Sequence, residues 1–428
     1  MGRESPGAGT YTGLMRMLRV LYIHPFAARG GATKSLAEMI RALPPDSVRA
    51  TAIAPAGVAA DLLAAAGVEV IVVRGIAQWD DTRFGHYRGL RWLIMLREIA
   101  YWPATLLGIR KAIRRGPYDL IHCNEVTALL PSLLAKRVLS VPLVVHVRSL
   151  QRGDGGGRVS AWLLGLLRRG ADAVIAIDEA VRRTLPASMS IDVVHNGMAA
   201  ATEIPLRSGD DRFCVAIVGV LHRSKGVYEL VEAARLLRDR GLRLRILVVG
   251  ENVHRISGVT GWLLHKLDFA RDVRRELEAY VTQHSLQGIV EFTGYVSDVR
   301  GVYESSDVVC FPSHLDAPGR PVFEAALFAR PSIVAMRNPT SDVVIHGRTG
   351  LCIDESTPQA IAEAIESLAS DRVAVREMGL EARKAALLRF DSRIGASRVF
   401  ELYNRVIAGF VSARRRGDGR DVSVPRSG

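Results

Sequence analysis

Apolar residues along this 428-residue chain fall into two alternating series. Residues 18–24 (LRVLYIH) form a short apolar run closed by Pro25, the pattern of a strand buried on both faces. After Gly30-Gly31, the residues Leu36, Met39, Ile40 and Leu43 recur at i, i+3, i+4 and i+7, which is one face of a helix. The runs at 48–54, 68–73, 119–122, 143–147, 173–176 and 191–195 read as further strands, with helical patterns between most of them. At 197–211 the pattern lapses into polar, turn-forming residues, and then the alternation restarts. Strands are expected at 213–218, 244–249, 289–292, 308–311 and 332–335, and helices at 227–238, 272–284 and 322–328. Residues 252–270 read as an insertion, 358–413 as helical, and 414–428 as a basic, Gly/Ser-rich, disordered tail.

Strands alternating with helices predict an α/β fold of two Rossmann-like, doubly wound parallel sheets, each covered on both faces. The expected division is an N-terminal domain at 14–198, a linker at 199–211 and a second domain at 212–390. A terminal helix at 391–413 is expected to pack back on the first domain, followed by the tail at 414–428. Two such domains face each other across a cleft, and ligands of such sheets sit beyond the carboxyl ends of the strands.

Composition narrows the partners. A chain that is 48% hydrophobic and 24% charged is a soluble globular protein with a full core. Its formal net charge of +13 points to anionic partners: nucleotide phosphates, lipid head groups or nucleic acid. No recognition-helix or aromatic-interleaved strand motif supports nucleic acid. The four cysteines, Cys123, Cys214, Cys310 and Cys352, are far apart in apolar stretches without a Cys-x-x-Cys. They read as small core residues in a reducing cytoplasm rather than as a disulfide or zinc framework. Residues 1–13 are polar and Gly-rich, unlike a secretory leader. The most hydrophobic window, 90–109, contains Arg91, Arg97, Glu98 and Pro103, which is not the pattern of a spanning helix.

Several motifs fall at the expected strand ends. Gly30-Gly31 opens the first helix, either as a tight turn or as a loop that lets backbone N–H groups approach an anion. Gly219 to Gly226 (GVLHRSKG) follows the first strand of the second domain. Its Arg223 and Lys225 form either a solvated basic loop or a clamp for a diphosphate whose negative charge grows as it leaves. Asp316 and Glu324 are eight positions apart, separated by Gly319-Arg320-Pro321 and the start of an apolar run. Pro321 suits a first helical position, so Asp316 belongs to a loop and Glu324 to the helix it leads into. Structural readings exist for both, a first-turn carboxylate for Glu324 and an Asx-turn for Asp316. Two acids beside an anion-binding helix end otherwise suit a ligand that is both phosphate ester and polyol, such as a nucleotide-sugar. His146-Val147-Arg148 ends a strand of the first domain, with Arg148 able to face the cleft and His146 open to a buried, hydrogen-bonded role. The stretches 88–115 and 160–169 mix Trp and aliphatic residues with arginines, which suits either sheet-covering helices or helices lying in an anionic lipid interface.

Taken together, 219–226, 316–324 and 325–335 (AALFARPSIVA) resemble the retaining glycosyltransferases of the GT-B fold known as glycosyl transferases group 1, or family 4. That family carries an E-x7-E signature, here Asp-x7-Glu. Supporting pieces are 290–299 (VEFTGYVSDV), Phe311-Pro312-Ser313, His346 to Leu351, 30–36 (GGATKSL) and 193–197 (VVHNG), so the resemblance covers nearly 18–410. The resemblance implies that Glu324 holds the nucleotide ribose, Asp316 takes the place of the acid contacting the donor sugar, and Lys225 binds the diphosphate. The implied catalytic set is Lys225, Arg223, Asp316 and Arg148, and the implied nucleotide-binding set Gly30, Gly31, Gly219, Lys225, Gly319, Arg320, Pro321 and Glu324. Three positions depart from the family pattern: Asp316 for Glu, Val220 for the usual phosphate-binding Arg, and Arg148 for a strand-end His.

The resulting expectation is a metal-independent, retaining transferase without a separate cofactor, using a UDP- or GDP-linked sugar. It acts on a glycan or lipid-linked acceptor in polysaccharide, glycolipid or cell-envelope glycan synthesis. It works in the cytoplasm, peripherally at the inner face of the plasma membrane. The rivals are a nucleotide-sugar 2-epimerase, which would draw its acid and base from residues such as Asp119 and Glu125, and a non-catalytic scaffold on the same fold.

Overall fold

The computed structural model describes residues 16–28, 30–83, 85, 92–152, 156–198, 211–252 and 272–418. The expected linker, apart from Asp211, the expected insertion, apart from Asn252, and the last ten residues of the expected tail lie outside the described residues. The N-terminal unit runs β1 (Leu18–Ile23), α1 (Gly31–Ala42), β2 (Val48–Pro55), α2 (Val58–Ala64), β3 (Glu69–Val73), α3 (Trp92–Ala100), α4 (Trp102–Arg115) and β4 (Leu120–Cys123). It continues through α5 (Leu129–Leu139), β5 (Leu143–Val147), α6 (Gly157–Gly170), β6 (Ala173–Ala176), α7 (Glu179–Arg182) and β7 (Ile191–Val193). The C-terminal unit runs β8 (Phe213–Val218), α8 (Val227–Asp239), β9 (Leu244–Val249), α9 (Val273–Gln283), β10 (Val290–Gly294), α10 (Arg300–Ser305) and β11 (Val308–Phe311). It ends with α11 (Arg320–Leu327), β12 (Ser332–Ala335), β13 (Gly350–Ile353), α12 (Pro358–Ser370), α13 (Arg372–Phe390) and α14 (Ser392–Asp418).

Each unit is built on a parallel sheet, ordered β3-β2-β1-β4-β5-β6-β7 in the first and β10-β9-β8-β11-β12-β13 in the second. The strand order reverses between β1 and β4, and again between β8 and β11, and ligands of doubly wound sheets bind at such switch points. The continuous apolar runs follow from two-sided cover. Side chains alternate across a strand, so Leu21 and Ile23 of β1 pack with α4, α5 and α6, while Val20 and Tyr22 pack with α1 and α14. Each fully buried aliphatic side chain contributes about 1.5–3 kcal/mol relative to exposure.

Helix α14 therefore belongs to the N-terminal sheet although it follows the C-terminal unit. Val399, Leu402, Tyr403 and Val406 are buried against Val20, Tyr22 and Leu120. The Tyr403 hydroxyl is hydrogen-bonded to His122 Nδ1 at 2.8 Å and lies 3.2 Å from the Tyr22 hydroxyl. Burial pushes both phenols above their ordinary range, so both stay neutral hydrogen-bonding groups.

The structure departs from the sequence pattern at a few ends. Helix α11 starts at Arg320 rather than at 322, because Gly319 is extended (φ −102°, ψ 159°) and Pro321 needs no N–H in the first turn. Strand β13 is short and half-buried, with too little apolar run to be visible beforehand. Residues 414–418 continue α14 instead of fraying, with Arg414 Nη1 donating to the Ser140 carbonyl at 3.3 Å. Cys123, Cys214 and Cys310 are buried and Cys352 half-buried, and none of them is in a disulfide. Among the described residues no helix is long and apolar enough to cross a membrane.

The chain passes between the units beyond Met198 and again at Asp391, and the two passes touch. Met198 N donates to the Phe390 carbonyl at 2.8 Å. A Cβ on Gly197 would lie 2.5 Å from Ser392 Cα, so only glycine lets the passes approach this closely. Gly197→Ala is expected to cost about 1–3 kcal/mol in urea unfolding, and an unchanged midpoint would show that the crossing relaxes freely.

Candidate active site

The carboxyl ends of β1, β8 and β11 open on a cavity of about 540 Å³ between the two units. Gly30, Gly31, Lys34 and Glu38 line it from one side, and Gly219, Lys225, Phe311, Gly319, Arg320, Pro321 and Glu324 from the other. Eight of the residues implied by the resemblance thus come together, all those of its nucleotide-binding set. Arg223, Asp316 and Arg148 are not in its wall.

Two helix ends face this cavity. Helix α1 starts after Gly30, which is extended (φ −132°, ψ 175°), and no side chain caps its N–H groups. A Cβ on Gly30 or Gly31 would meet no atom within 4 Å, so neither packing nor a left-handed turn requires glycine there; the open space lies toward the cavity. The loop is fixed from behind. Asn124 Nδ2 donates to His24 Nδ1 at 2.9 Å, and His24 Nε2 donates to Thr33 Oγ1 at 3.0 Å. Burial first, and the Arg148 cation second, hold the His24 ring at about 3, so it remains neutral. The N-terminus of α11 has no side-chain cap either, and Gly319 is demanded by packing, since a Cβ would lie 2.2 Å from Phe311 Cζ. Uncapped N–H groups and the helix dipole make each end a seat for negative charge.

Lys225 supplies a cation to the same space. A single 3-10 turn, Arg223–Lys225, is started by Ser224 N donating to His222 Nδ1 at 3.2 Å and closed by Gly226 in the left-handed region (φ +71°). A Cβ on Gly226 would lie 1.9 Å from the Pro312 carbonyl oxygen, which ties this turn to the loop after β11. Lys225 Nζ lies 5.0 Å from the centre of the Phe311 ring, half-buried, and no carboxylate pairs with it among the described residues. Burial lowers its pKa, the signature of an ammonium deprived of water without a counter-charge. Arg223, two positions earlier, points to solvent.

Glu324 sits in the centre of a network that spans the cleft. Its Oε1 accepts from Lys34 Nζ (2.9 Å) and Arg320 Nε (2.7 Å), and its Oε2 from the Tyr303 hydroxyl (2.8 Å). Arg320 also donates to Ser35 Oγ (2.8 Å) and Glu38 Oε2 (2.6 Å) of α1. Burial opposes ionisation of Glu324, but the Arg320 and Lys34 cations outweigh it and hold the carboxyl below its usual range. Burial likewise works against the Arg320 charge, and Glu324 and Glu38 more than restore it.

Asp316 stands apart. Its backbone is left-handed (φ +48°), and its Oδ1 accepts from Arg337 N at 3.1 Å. It lines a separate hollow of about 390 Å³ with His314, Arg337 and Glu355. The expected pairing of the two acids in one wall is therefore absent in this arrangement of the loop. Arg148 is at the strand end, but its guanidinium is turned into the protein, donating to Asn124 Oδ1 (3.0 Å), Asn196 Oδ1 (2.5 Å) and His146 Nδ1 (3.2 Å). Burial lowers it to about 10, which leaves it charged at neutral pH. His146 takes the buried, hydrogen-bonded role, 2% exposed.

The carboxylates a 2-epimerase would recruit are also elsewhere. Asp119 precedes β4, at the end of the sheet away from the cavity, and pairs with Arg16. Glu125 is buried, accepting from Val126 N and Ser149 Oγ. Sequence reading missed Lys34 and Glu38, whose one available signal was an i, i+4 charge pair directly after Gly30-Gly31. Asp342, beyond β12, makes a second contact between the units. Its Oδ2 accepts from His195 Nε2 (2.9 Å) and from Glu179 N (2.9 Å) at the start of α7.

A family model described as Glycosyltransferase Family 4 matches residues 29–201, and one described as Glycosyl transferases group 1 matches residues 202–385. The alpha-maltose-1-phosphate synthase of Mycolicibacterium smegmatis is 26% identical over 354 residues, covering 72% of this chain and 88% of that protein. The capsular polysaccharide biosynthesis glycosyltransferase CapM of Staphylococcus aureus is 25% identical over 195 residues, 46% of this chain and 47% of CapM. Anabaena HepE, solved in complex with UDP and glucose, superposes with a TM-score of 0.69 at 21% identity, covering 90% of this chain and 99% of that one. Two doubly wound parallel sheets with the cavity between their switch points define the GT-B fold. The chain belongs to the family 4, group 1 glycosyltransferases, which transfer a sugar from a nucleotide-sugar donor.

The Asp342 contact has a pH signature. Burial raises its carboxyl, but the hydrogen bonds from His195 and Glu179 N prevail and bring it down to about 2. A depressed carboxyl stabilises the folded state above the ordinary aspartate range near pH 4, and that stability is lost as pH falls through about 2. Asp342→Asn is expected to be less stable than the wild type by about 2 kcal/mol at pH 7. The gap should narrow in unfolding curves recorded toward pH 2, and a gap that is constant with pH would contradict this account.

Proposed function

We propose that the enzyme transfers its sugar with retention, without a divalent metal, from a UDP- or GDP-linked donor to a glycan or lipid-linked acceptor. The pathway we infer is polysaccharide, glycolipid or envelope-glycan synthesis at the inner, cytoplasmic face of the plasma membrane. The observation that carries this reading is Lys225, a desolvated cation without a counter-charge, in the same cavity as two uncapped helix ends. These groups suit a diphosphate whose charge grows as the sugar leaves, and stabilising that charge is the main catalytic demand of the reaction.

The rest of the wall fits the donor. Glu324 accepts hydrogen bonds from the ribose hydroxyls, which take the place of Lys34 on Oε1. Glu38 and Glu324 are the carboxylates among the lining residues, and each is tied to a cation, so neither suits a nucleophile or a general base. This supports a path in which the departing phosphate oxygen takes the acceptor proton on the same face of the sugar. Asp316 reaches the donor sugar when the loop at 312–319 moves over the occupied cavity, and Arg148 positions β4, β5 and Asn196 beneath the site. The UDP of the HepE structure and the polysaccharide role in the CapM name favour the UDP donor and the glycan acceptor.

Thermal shifts against UDP-, GDP- and ADP-sugars are expected to rise with the UDP- or GDP-linked donor, because a ligand of the folded state raises apparent stability. Lys225→Ala is expected to lower transfer or donor hydrolysis by about 10²–10³-fold. Glu324→Ala should weaken the shift itself. Full activity in both variants would exclude this site.

A further inference from the structure

The helices α4, α5 and α6 lie side by side on one face of the N-terminal sheet, since Ile109, Ala112, Leu129, Ala135 and Leu167 share one core beneath them. Helix α3 leads into α4. The four helices carry ten lysines and arginines against a single carboxylate, Glu98. Glu98 is buried and pairs with Arg97, Arg115 pairs with Glu69 and Lys136 with Asp172, which leaves seven of the ten cations without a carboxylate partner among the described residues. The terminal helices α13 and α14 are also basic, but each carries two carboxylates among its cations, and α12 has carboxylates alone.

The same surface is unusually apolar. Leu93, Leu96 and Ile99 recur at i, i+3 and i+6 on α3 and are 58–63% exposed. Leu106 and Leu107 of α4 and Trp162 of α6 are about half exposed. A lone exposed leucine means little, but a group on consecutive helices marks a surface that something covers. Crossover helices run antiparallel to their parallel strands. Leu106, Leu107 and Trp162, in the first half of their helices, therefore lie toward the carboxyl ends of the strands, where the cavity opens. Arg114, Arg115, Arg168 and Arg169 end the same helices and lie farther from the cleft.

We propose that the α3–α6 face docks the enzyme on an anionic lipid leaflet. The leucines and Trp162 enter the interface at the cleft rim, and the arginines lie along the head groups. Charge complementarity selects this occupant: a face with no outward carboxylate on its helices gains about 1 kcal/mol per basic residue near an anionic membrane, and amphipathic helices of this composition bind in the interface plane. A neutral protein partner would use the leucines but leave Arg110, Lys111, Arg114, Arg168 and Arg169 unmatched. The docking rests on the transferase reading for its purpose, since it brings the cleft mouth to a lipid-linked acceptor, but not for its test.

The test is vesicle flotation of the full chain without donor or acceptor, using phosphatidylcholine vesicles with and without about one third phosphatidylglycerol. The wild type is expected to float with the anionic vesicles only, and to be released in about 1 M salt, where the screening length is about 3 Å. The double variant Leu96→Asp/Leu107→Asp, and separately Arg110→Glu/Lys111→Glu, are expected to bind about tenfold more weakly, a loss of about 1.4 kcal/mol. Both should keep the wild-type unfolding midpoint and donor hydrolysis. No flotation of the wild type, equal flotation with neutral vesicles, or undiminished flotation of both folded variants would overturn the proposal. So would a wild-type dimer that does not float and that Leu96→Asp/Leu107→Asp converts to a monomer, since a second copy would then cover the face. Flotation with no sugar transfer to any acceptor would leave the docking standing and count against the transferase reading instead.

Discussion

Four charges set against one another across the cleft give the two sheets a common cavity: Lys34 and Glu38 on α1, Arg320 and Glu324 on α11. Removing such groups from water is costly, and their mutual attraction offsets that cost only when every donor and acceptor is placed well. Here the placement is close, because Arg320 has a carboxylate on each side and Ser35 on its remaining edge. The network thereby sets the register of α1 against α11 more than it adds net stability. It also lines the cavity, so one set of side chains both joins the units and walls the space between them.

This double use depends on short-range framing by the backbone. The two glycine groups in the cavity wall answer different demands. Gly219, with φ +142°, meets a conformational need, and Gly319 makes room for the Phe311 ring. Gly30 and Gly31 meet neither, so their small size leaves the end of α1 open. Behind them the neutral His24 links Asn124 of one strand end to Thr33 of the helix, which keeps the open end from drifting.

Much of the architecture was legible in the sequence because parallel strands covered on both faces are continuous apolar runs. β5, β6, β8, β9, β11 and β12 stand where those runs predict. Strand β13 was not legible, since an edge strand of four residues, three of them half-buried, carries little apolar signal. At the site, the eight residues that the resemblance implies for nucleotide binding fall around strand ends, and the structure gathers them in one wall. What spacing cannot convey is direction. Arg148 and Asp316 occupy the expected loops, yet hydrogen bonds to Asn124 and Asn196 turn one inward, and a left-handed backbone with Arg337 N holds the other in a neighbouring hollow. Lys34 was overlooked because its partner is 290 residues away, beyond the reach of any local pattern.

The contact of Gly197 with Ser392 bears on how the molecule moves. A single flexible strand between two bodies is a tether, and it permits twist, slide and swing alike. Two chain segments pressed together at one point act as a pin. Sliding would tear the Met198–Phe390 hydrogen bond, whereas swinging about the pin leaves it whole. The cleft then has mainly one direction in which to gape, like the jaws of pliers, and a small turn at the pin is magnified by leverage at the far jaws.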